Sequence, residues 1–98
     1  SNLDDAFIRR FHSIIHFPMP NTEERLVLWQ KSMPSSLLPD ASVDLQLLAK
    51  KYEMSGASIL NAVQAATLQA YEKGRDSLHQ DDLIDGVRKE YLKEEKSI

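Results

Sequence analysis

Two adjacent arginines, Arg9 and Arg10, lie within the apolar helical pattern of the segment LDDAFIRRFHSIIHFPMP, residues 3–20. A guanidinium is planar and permanently charged, and its N–H donors suit the oxygens of phosphate or carboxylate groups. The same residues are also typical of solvated cations at the C-terminal end of a helix, where they complement the helix dipole by about 0.3–1 kcal/mol. Taken alone, the pattern favours solvated cations.

Two other groups of residues have spacings that could support chemistry. His12 and His16 are four residues apart and would share a face in a helix or a strand, but no carboxylate or third imidazole accompanies them at metal spacing. Asp81 and Asp82 could act as a general acid and base, although an acidic pair in the first turn of a helix ordinarily complements the helix dipole. The sequence therefore predicts no metal site and no acid–base centre.

Composition narrows the class of protein. The chain has 98 residues, of which 42% are hydrophobic and 28% charged, and this predicts one domain with one modest core. The absence of cysteine excludes disulfides and thiolate zinc sites, so a cytoplasmic location is expected. A formal net charge of −3 gives no broad basic field for nucleic acid, and the apolar runs are too short to span a membrane. We therefore expect neither nucleic acid nor membrane as a partner.

The first twenty residues combine a short helix and a lone strand. Phe7 and Phe11 are four apart and share a helical face, whereas SIIHF, residues 13–17, has the β-branched and aromatic content of a strand. A single strand has no sheet to join in so small a chain. We therefore expect that its partner strands belong to a preceding part of a longer protein, and that residues 1–20 are the end of that part.

Capping residues predict four further helices, so the expected fold is an all-α, small helical bundle with this one orphan strand. Asn21 and Glu24 have the spacing of a capping box, Ser42 is the expected N-cap of the second helix, and Ser55 that of the third. Gly74 is expected to end the third helix. The fourth is predicted to begin near His79 and to end at residue 92, before a solvated tail.

Apolar residues at helical spacing define the expected buried faces. The third helix has so many small and apolar residues that we expect it to be the central helix of the bundle. The predicted stripes are Leu26, Trp29 and Met33; Leu45, Leu48, Ala49 and Tyr52; Ile59, Val63, Ala66 and Ala70, widened by Leu60, Thr67, Leu68 and Tyr71; and Leu83, Val87 and Tyr91.

Three segments resemble those of AAA ATPases, and they occur in the family's order. LDDAFIRRFHSIIHFPMPNTEERLVLW resembles the end of the second region of homology, in which an acidic helix leads to arginines, an extended segment, a Pro-x-Pro and a helix containing arginine. MSGASILNAVQAA resembles the SGA motif that opens the third helix of the C-terminal lid, and LHQDDLIDGV resembles the start of its last helix. The resemblance implies a helical lid over residues 21–98, preceded by the tail of the nucleotide-binding subdomain over residues 1–20.

The resemblance also implies roles for five residues. Arg10, and secondarily Arg9, would be arginine fingers that reach the γ-phosphate of a nucleotide held by a neighbouring subunit. The two are adjacent here, whereas many members place a glycine between them, so the division of roles stays open. Gly56 and Ala57 would lie against the adenine and ribose, a role compatible with simple helix capping and packing, and Gln30 is a candidate for a further base or ribose contact.

For the longer protein, the resemblance implies ATP and Mg²⁺ as cofactors and a ring of identical subunits, commonly a hexamer, that remodels a macromolecule, most often protein. The phosphate-binding motif GxxxxGK[ST] does not occur in the chain, so we expect no bound nucleotide and no ATP hydrolysis from these residues alone. The alternative is a stand-alone helical interaction module without nucleotide function, which would bind a partner in an apolar groove.

Overall fold

The computed structural model describes residues 19–96, with side chains to residue 93, and this part of the chain forms four α-helices. They are α1 (Thr22–Ser32), α2 (Leu45–Lys51), α3 (Gly56–Glu72) and α4 (Gln80–Lys96). Between residues 19 and 96 there is no sheet, and the extended backbone pairing is an isolated parallel bridge from Pro39 to Leu78. The predicted all-α bundle is confirmed. The predicted first helix and strand, together with Arg9 and Arg10, lie outside the described residues.

The start of α1 is set by the predicted capping box. Asn21 Oδ1 accepts a hydrogen bond of 2.8 Å from the Glu24 amide, and Glu24 Oε1 accepts one of 2.9 Å from the Asn21 amide. The helix ends at Ser32, with Met33 as its C-cap immediately before Pro34. Trp29 is fully buried, as its place in the predicted stripe requires.

The N-cap of α2 is Asp44, so the prediction that Ser42 has this role is wrong. Asp44 Oδ1 accepts a hydrogen bond of 3.0 Å from the Leu47 amide, whereas the Ser42 hydroxyl donates to Asp40 and accepts from the Gln80 amide. Ser and Asp are both favourable N-caps. Because the Ser42 hydroxyl is hydrogen-bonded to Asp40 and to the distant Gln80 amide, it does not cap α2.

Both predicted ends of α3 are confirmed. Ser55 Oγ accepts a hydrogen bond of 3.1 Å from the Ser58 amide at the N-terminus. At the C-terminus Gly74 has a φ of 70°, a left-handed conformation that favours glycine, and its amide donates to Tyr71 O at 3.0 Å.

Helix α3 packs along α4 and also against α1, which confirms it as the central helix. The backbones of α3 and α4 approach closely at Gly86 of α4, where a Cβ atom would lie only 2.3 Å from the carbonyl oxygen of Ala62. The absence of a side chain therefore lets the two backbones touch. The buried core consists of Trp29, Leu37, Leu48, Ala49, Met54, Ile59, Ala62, Val63, Ala66, Ala70, Leu78, Leu83 and Val87.

Several predicted core residues are exposed. Leu60, Leu68 and Tyr71 are 45%, 60% and 51% exposed, because α1 and α4 cover the other sides of α3. Tyr91 is also partly exposed, and its ring packs edge-on against Tyr52. The prediction that Leu60, Leu68 and Tyr71 widen the buried face of α3 is therefore wrong, whereas Thr67 is half-buried.

The predicted tail after residue 92 is helical instead, because α4 continues to Lys96. The sequence KEEK contains good helix formers and neither glycine nor proline, so nothing ends the helix at residue 92. Lys93 also pairs with Glu90 across one turn, with 2.7 Å between Nζ and Oε2.

Candidate functional site

The N-terminus of α3 holds two of the predicted site residues. Ser55 caps the helix, Gly56 is half-buried and Ala57 is exposed. The first amides of a helix lack partners within it and carry partial positive charge. The first turn of α3 contains no acidic residue. The exposed Ala57 therefore presents neither a large side chain nor a carboxylate to the solvent at this end of α3.

Gly56 also lies against α1. A Cβ atom at Gly56 would be 3.6 Å from Cδ1 of Leu28, so the glycine and the leucine are at ordinary contact distance. One turn further along each helix, Ser32 of α1 and Leu60 of α3 line the start of an apolar groove. We call these four residues, Leu28, Ser32, Gly56 and Leu60, the α1–α3 seam.

Gln30, the third predicted contact in the described residues, is exposed and lies elsewhere on α1. Residues two apart on an α-helix point to nearly opposite sides, so Gln30 faces away from Leu28 and the seam. The structure thus brings Gly56 and Ala57 together but does not place Gln30 beside them. The sequence did not predict Leu28 and Ser32 as part of this surface, although their spacing of four residues marks a second face of α1.

An apolar groove continues from the seam along α3. Its volume is about 420 Å³, and it includes the exposed side chains of Leu60, Leu68 and Tyr71. The Tyr71 hydroxyl donates a hydrogen bond of 2.9 Å to Ser36 Oγ, which fixes one end of the groove. This surface is the groove that an interaction module would require.

The acidic pair at the start of α4 has divided roles. Asp81 is exposed, whereas the Asp82 side chain is fully buried. Asp82 accepts hydrogen bonds from the Gln69 side chain at 3.0 Å and the His79 amide at 3.1 Å, and Arg75 NH1 lies 2.9 Å from its Oδ2. We call these four residues, Gln69, Arg75, His79 and Asp82, the Asp82 cluster.

The electrostatics of the Asp82 cluster indicate a structural carboxylate. Burial alone would raise the pKa of Asp82, but the hydrogen bonds from Gln69, the His79 amide and Arg75 outweigh it, and the pKa lies below its ordinary value of 3.8. A carboxylate held charged in this way is a poor general acid or base near neutral pH. The sequence placed Asp82 in the first turn but gave no sign of its partners on α3 and in the loop.

Among residues 19–93, whose side chains the structure describes, no three residues among His, Asp and Glu are grouped closely enough to hold a metal ion. None of the described helices is both long and apolar enough to cross a membrane.

Comparison with known proteins gives clear relatives, although no protein-family model matches the chain. It is 31% identical over 97 residues to the proteasome-activating nucleotidase of Saccharolobus solfataricus, an alignment that covers 96% of the chain and 24% of the relative. It is 41% identical over 76 residues to the ATP-dependent zinc metalloprotease FtsH of Acidimicrobium ferrooxidans, covering 74% of the chain and 11% of the relative. With FtsH 3 of Sphaerobacter thermophilus, the identity is 33% over 88 residues, covering 87% and 18%.

These relatives are AAA ATPases, and the chain belongs to that family. The matched region is a C-terminal part of the relatives, and the chain spans less than a quarter of their length. The four described helices agree with a C-terminal helical lid at that position.

Proposed function

We propose that the chain is the C-terminal part of an ATP-hydrolysing ring protein, in which α1 to α4 form a lid beside the nucleotide. The observation that carries this proposal is similarity over 96% of the chain to a C-terminal part of a nucleotidase. The longer protein would bind ATP with Mg²⁺ and assemble with further copies of itself, as a hexamer. The names of the relatives, a proteasome activator and proteases, support a protein as the substrate that is remodelled.

In this proposal the adenine and ribose lie at the N-terminus of α3. Gly56 has no side chain and Ala57 is exposed, so the base can come close to the backbone. Leu28, in contact with Gly56, offers apolar surface to the base. Ser32 belongs to the same seam and is a candidate for a polar contact with the ribose there, whereas Gln30 would need to reach the nucleotide from the opposite side of α1.

Arg10 would supply the arginine finger, with Arg9 as the second candidate. Phosphoryl transfer places charge on the equatorial oxygens of the transferred group, and a planar donor can stabilise this charge as it develops. The finger acts on a nucleotide held by the neighbouring subunit. Nucleotide at Gly56 and Ala57 would link the lid to the large subdomain, and hydrolysis would release that link and shift the neighbour.

The apolar groove along α3 favours a second candidate function. A stand-alone interaction module would use Leu60, Leu68 and Tyr71 to bind an apolar partner segment, without any nucleotide. The two functions differ in what precedes the chain in the gene. A P-loop within the preceding couple of hundred residues agrees with the ATPase, and an unrelated domain there would contradict it.

The experiment that tests the ATPase proposal mixes subunits of the full-length protein. Arg10→Ala should leave nucleotide binding nearly intact and lower turnover by about 10³-fold or more, as expected for a finger supplied in trans. Rings that combine Arg10→Ala subunits with subunits lacking the P-loop lysine should recover part of the activity. The reason is that some interfaces then pair an intact P-loop with an intact Arg10.

Arg88→Ala is the matched control, because Arg88 on α4 is 74% exposed and should change neither binding nor turnover. Equal losses of nucleotide affinity and turnover in Arg10→Ala, or no recovery in rings shown to be mixed, would contradict the role of Arg10.

A further inference from the structure

Arg25 is a buried arginine that the proposed function does not use. The residue is 6% exposed, and its guanidinium donates three hydrogen bonds. Nε donates to Ala49 O at 2.8 Å, NH1 to Pro20 O at 2.7 Å and NH2 to Thr22 Oγ1 at 3.1 Å. The acceptors belong to three segments: the last part of α2, the chain leading into α1, and the first turn of α1. We call these four residues the Arg25 junction.

The charge of Arg25 is compensated by dipoles. Among the described residues, none of the ion pairs involves Arg25, although a buried charge ordinarily requires a partner. Ala49 lies in the last turn of α2, where the helix carbonyls carry partial negative charge. The guanidinium therefore occupies a place where a cation is favourable, and the geometry of its acceptors fixes its orientation.

The hydrogen bond from Arg25 to the Pro20 carbonyl affects the direction of the chain before α1. Proline has no backbone N–H, so its carbonyl is the one main-chain group through which Pro20 can be held by a hydrogen bond. Helix α1 sets the backbone from Asn21 onward, since Asn21 O accepts the Arg25 amide at 2.8 Å. Pro20 precedes the backbone hydrogen bonds of α1, and the Arg25 side chain holds the Pro20 carbonyl in place.

We propose that Arg25 is a positioning residue that sets the direction in which the chain before residue 20 joins the lid. One planar guanidinium holds the Pro20 carbonyl, the start of α1 and the end of α2 in a fixed arrangement. A lysine ammonium cannot reproduce this, because it is a compact charge without the rigid fork of donors. In the longer protein, and here the inference rests on the proposed function, α1, α2 and the connection to the preceding subdomain would move as one body.

Distances between spin labels test the positioning role on this chain without any nucleotide, so the outcome is independent of the ATPase proposal. The chain has no cysteine, and each introduced pair is therefore labelled specifically. Met19→Cys with Leu68→Cys reports the chain direction before α1, and both sites are exposed, at 57% and 60%. Val27→Cys with Leu68→Cys reports the packing of α1 on the bundle, and Val27 is 44% exposed.

Arg25→Met keeps the length of the aliphatic side chain and removes the donors. We expect the distance distribution from residue 19 to widen by about twofold, because a segment that is no longer held becomes poorly ordered. The distribution from residue 27 should stay narrow. Arg25→Lys should widen the first distribution to an intermediate extent. Arg88→Met, the same change at an exposed arginine, should alter neither distribution.

A width from residue 19 that is unchanged in Arg25→Met, even with a lower melting temperature, would overturn the proposal and leave Arg25 as a packing residue. If Arg25→Met also widens the distribution from residue 27, the two distributions measured in Arg25→Lys decide between the positioning role and a packing role. In Arg25→Lys, a wider distribution from residue 19 alone supports the positioning role. Equal widening of both distributions, or no widening of either, overturns it.

Discussion

Helices α3 and α4 are equally long, but their N-termini differ in the side chains that surround them. At α4 the Asp82 carboxylate is buried and accepts hydrogen bonds from the His79 amide and from Gln69, with Arg75 beside it. At α3 a serine caps the helix, and Gly56 and Ala57 follow without an acidic residue in the first turn. A buried carboxylate therefore closes the N-terminus of α4, whereas that of α3 has a serine cap followed by an exposed alanine.

The comparison separates stability from function. The start of α4 joins α3, the loop and α4 through one carboxylate, so substitutions there should unfold the bundle. The start of α3 carries small residues outside the buried core, so substitutions there should leave the core intact and, under the proposed function, act on nucleotide binding. The following predictions test this division, from the largest expected effect to the smallest.

Asp82→Asn should lower the free energy of unfolding by about 3 kcal/mol, because it removes the charge that Arg75 faces and disturbs a buried hydrogen-bonded group. Asp81→Asn, one residue earlier and exposed, should cost less than about 1 kcal/mol. Urea unfolding of both variants, followed by circular dichroism, measures the difference. Equal and small losses would show that the Asp82 cluster does not stabilise the start of α4.

Gly86→Ala should lower the free energy of unfolding by about 2 kcal/mol, because the new Cβ would overlap the Ala62 carbonyl and force the backbones of α3 and α4 apart. Gly56→Ala is the matched control, since its Cβ would meet Leu28 at 3.6 Å and fits without displacement. A small gain of about 0.5 kcal/mol is expected there. Equal melting temperatures of the two variants would contradict the closer contact of α4 with α3 at Gly86 than of α3 with α1 at Gly56.

Acid should destabilise the bundle from about pH 4 downward. Asp82 has a pKa below its ordinary value of 3.8 in the folded protein, as does Asp40, whose carboxylate is hydrogen-bonded by the hydroxyl and amide of Ser42. A group with a depressed folded-state pKa adds stability above its unfolded pKa, and this stability is lost as the pH falls through the folded value. Unfolding free energies measured between pH 7 and pH 2 should therefore fall less steeply in Asp82→Asn. A slope equal to that of the unsubstituted chain would contradict the assignment.

Local signals in the sequence predicted much of this fold, because caps act over three or four residues. The capping box of Asn21 and Glu24, the Ser55 cap and Gly74 were all predicted correctly. The N-cap of α2 was placed two residues early, because the contact of Ser42 with Gln80 spans 38 positions and local patterns do not encode it. For a similar reason, the sequence predicted only a dipole-complementing place for Asp82 in the first turn of α4, because its contact with Gln69 on α3 spans 13 positions.

The candidate site was predictable only in part. The motif singled out Gly56 and Ala57, whose contact with nucleotide stays a prediction, but the contact of Leu28 with Gly56 arises from packing of α1 on α3, which sequence spacing does not give. The exposure of Leu60, Leu68 and Tyr71 was missed for a related reason. Helical periodicity shows that a face is apolar, but the arrangement of neighbouring helices decides which part of that face they cover.

The most direct test of the central claim, that the start of α3 contacts nucleotide, is the ATP affinity of the full-length protein with Ala57→Leu. Ala57 is exposed, so the larger side chain should leave the unfolding free energy of the bundle unchanged. We predict that ATP binds at least about tenfold more weakly, equivalent to about 1.4 kcal/mol. Ala41→Leu, an exposed alanine in the loop before α2, should bind ATP normally. An unchanged ATP affinity in Ala57→Leu would contradict the claim and reduce the SGA segment to a helix cap.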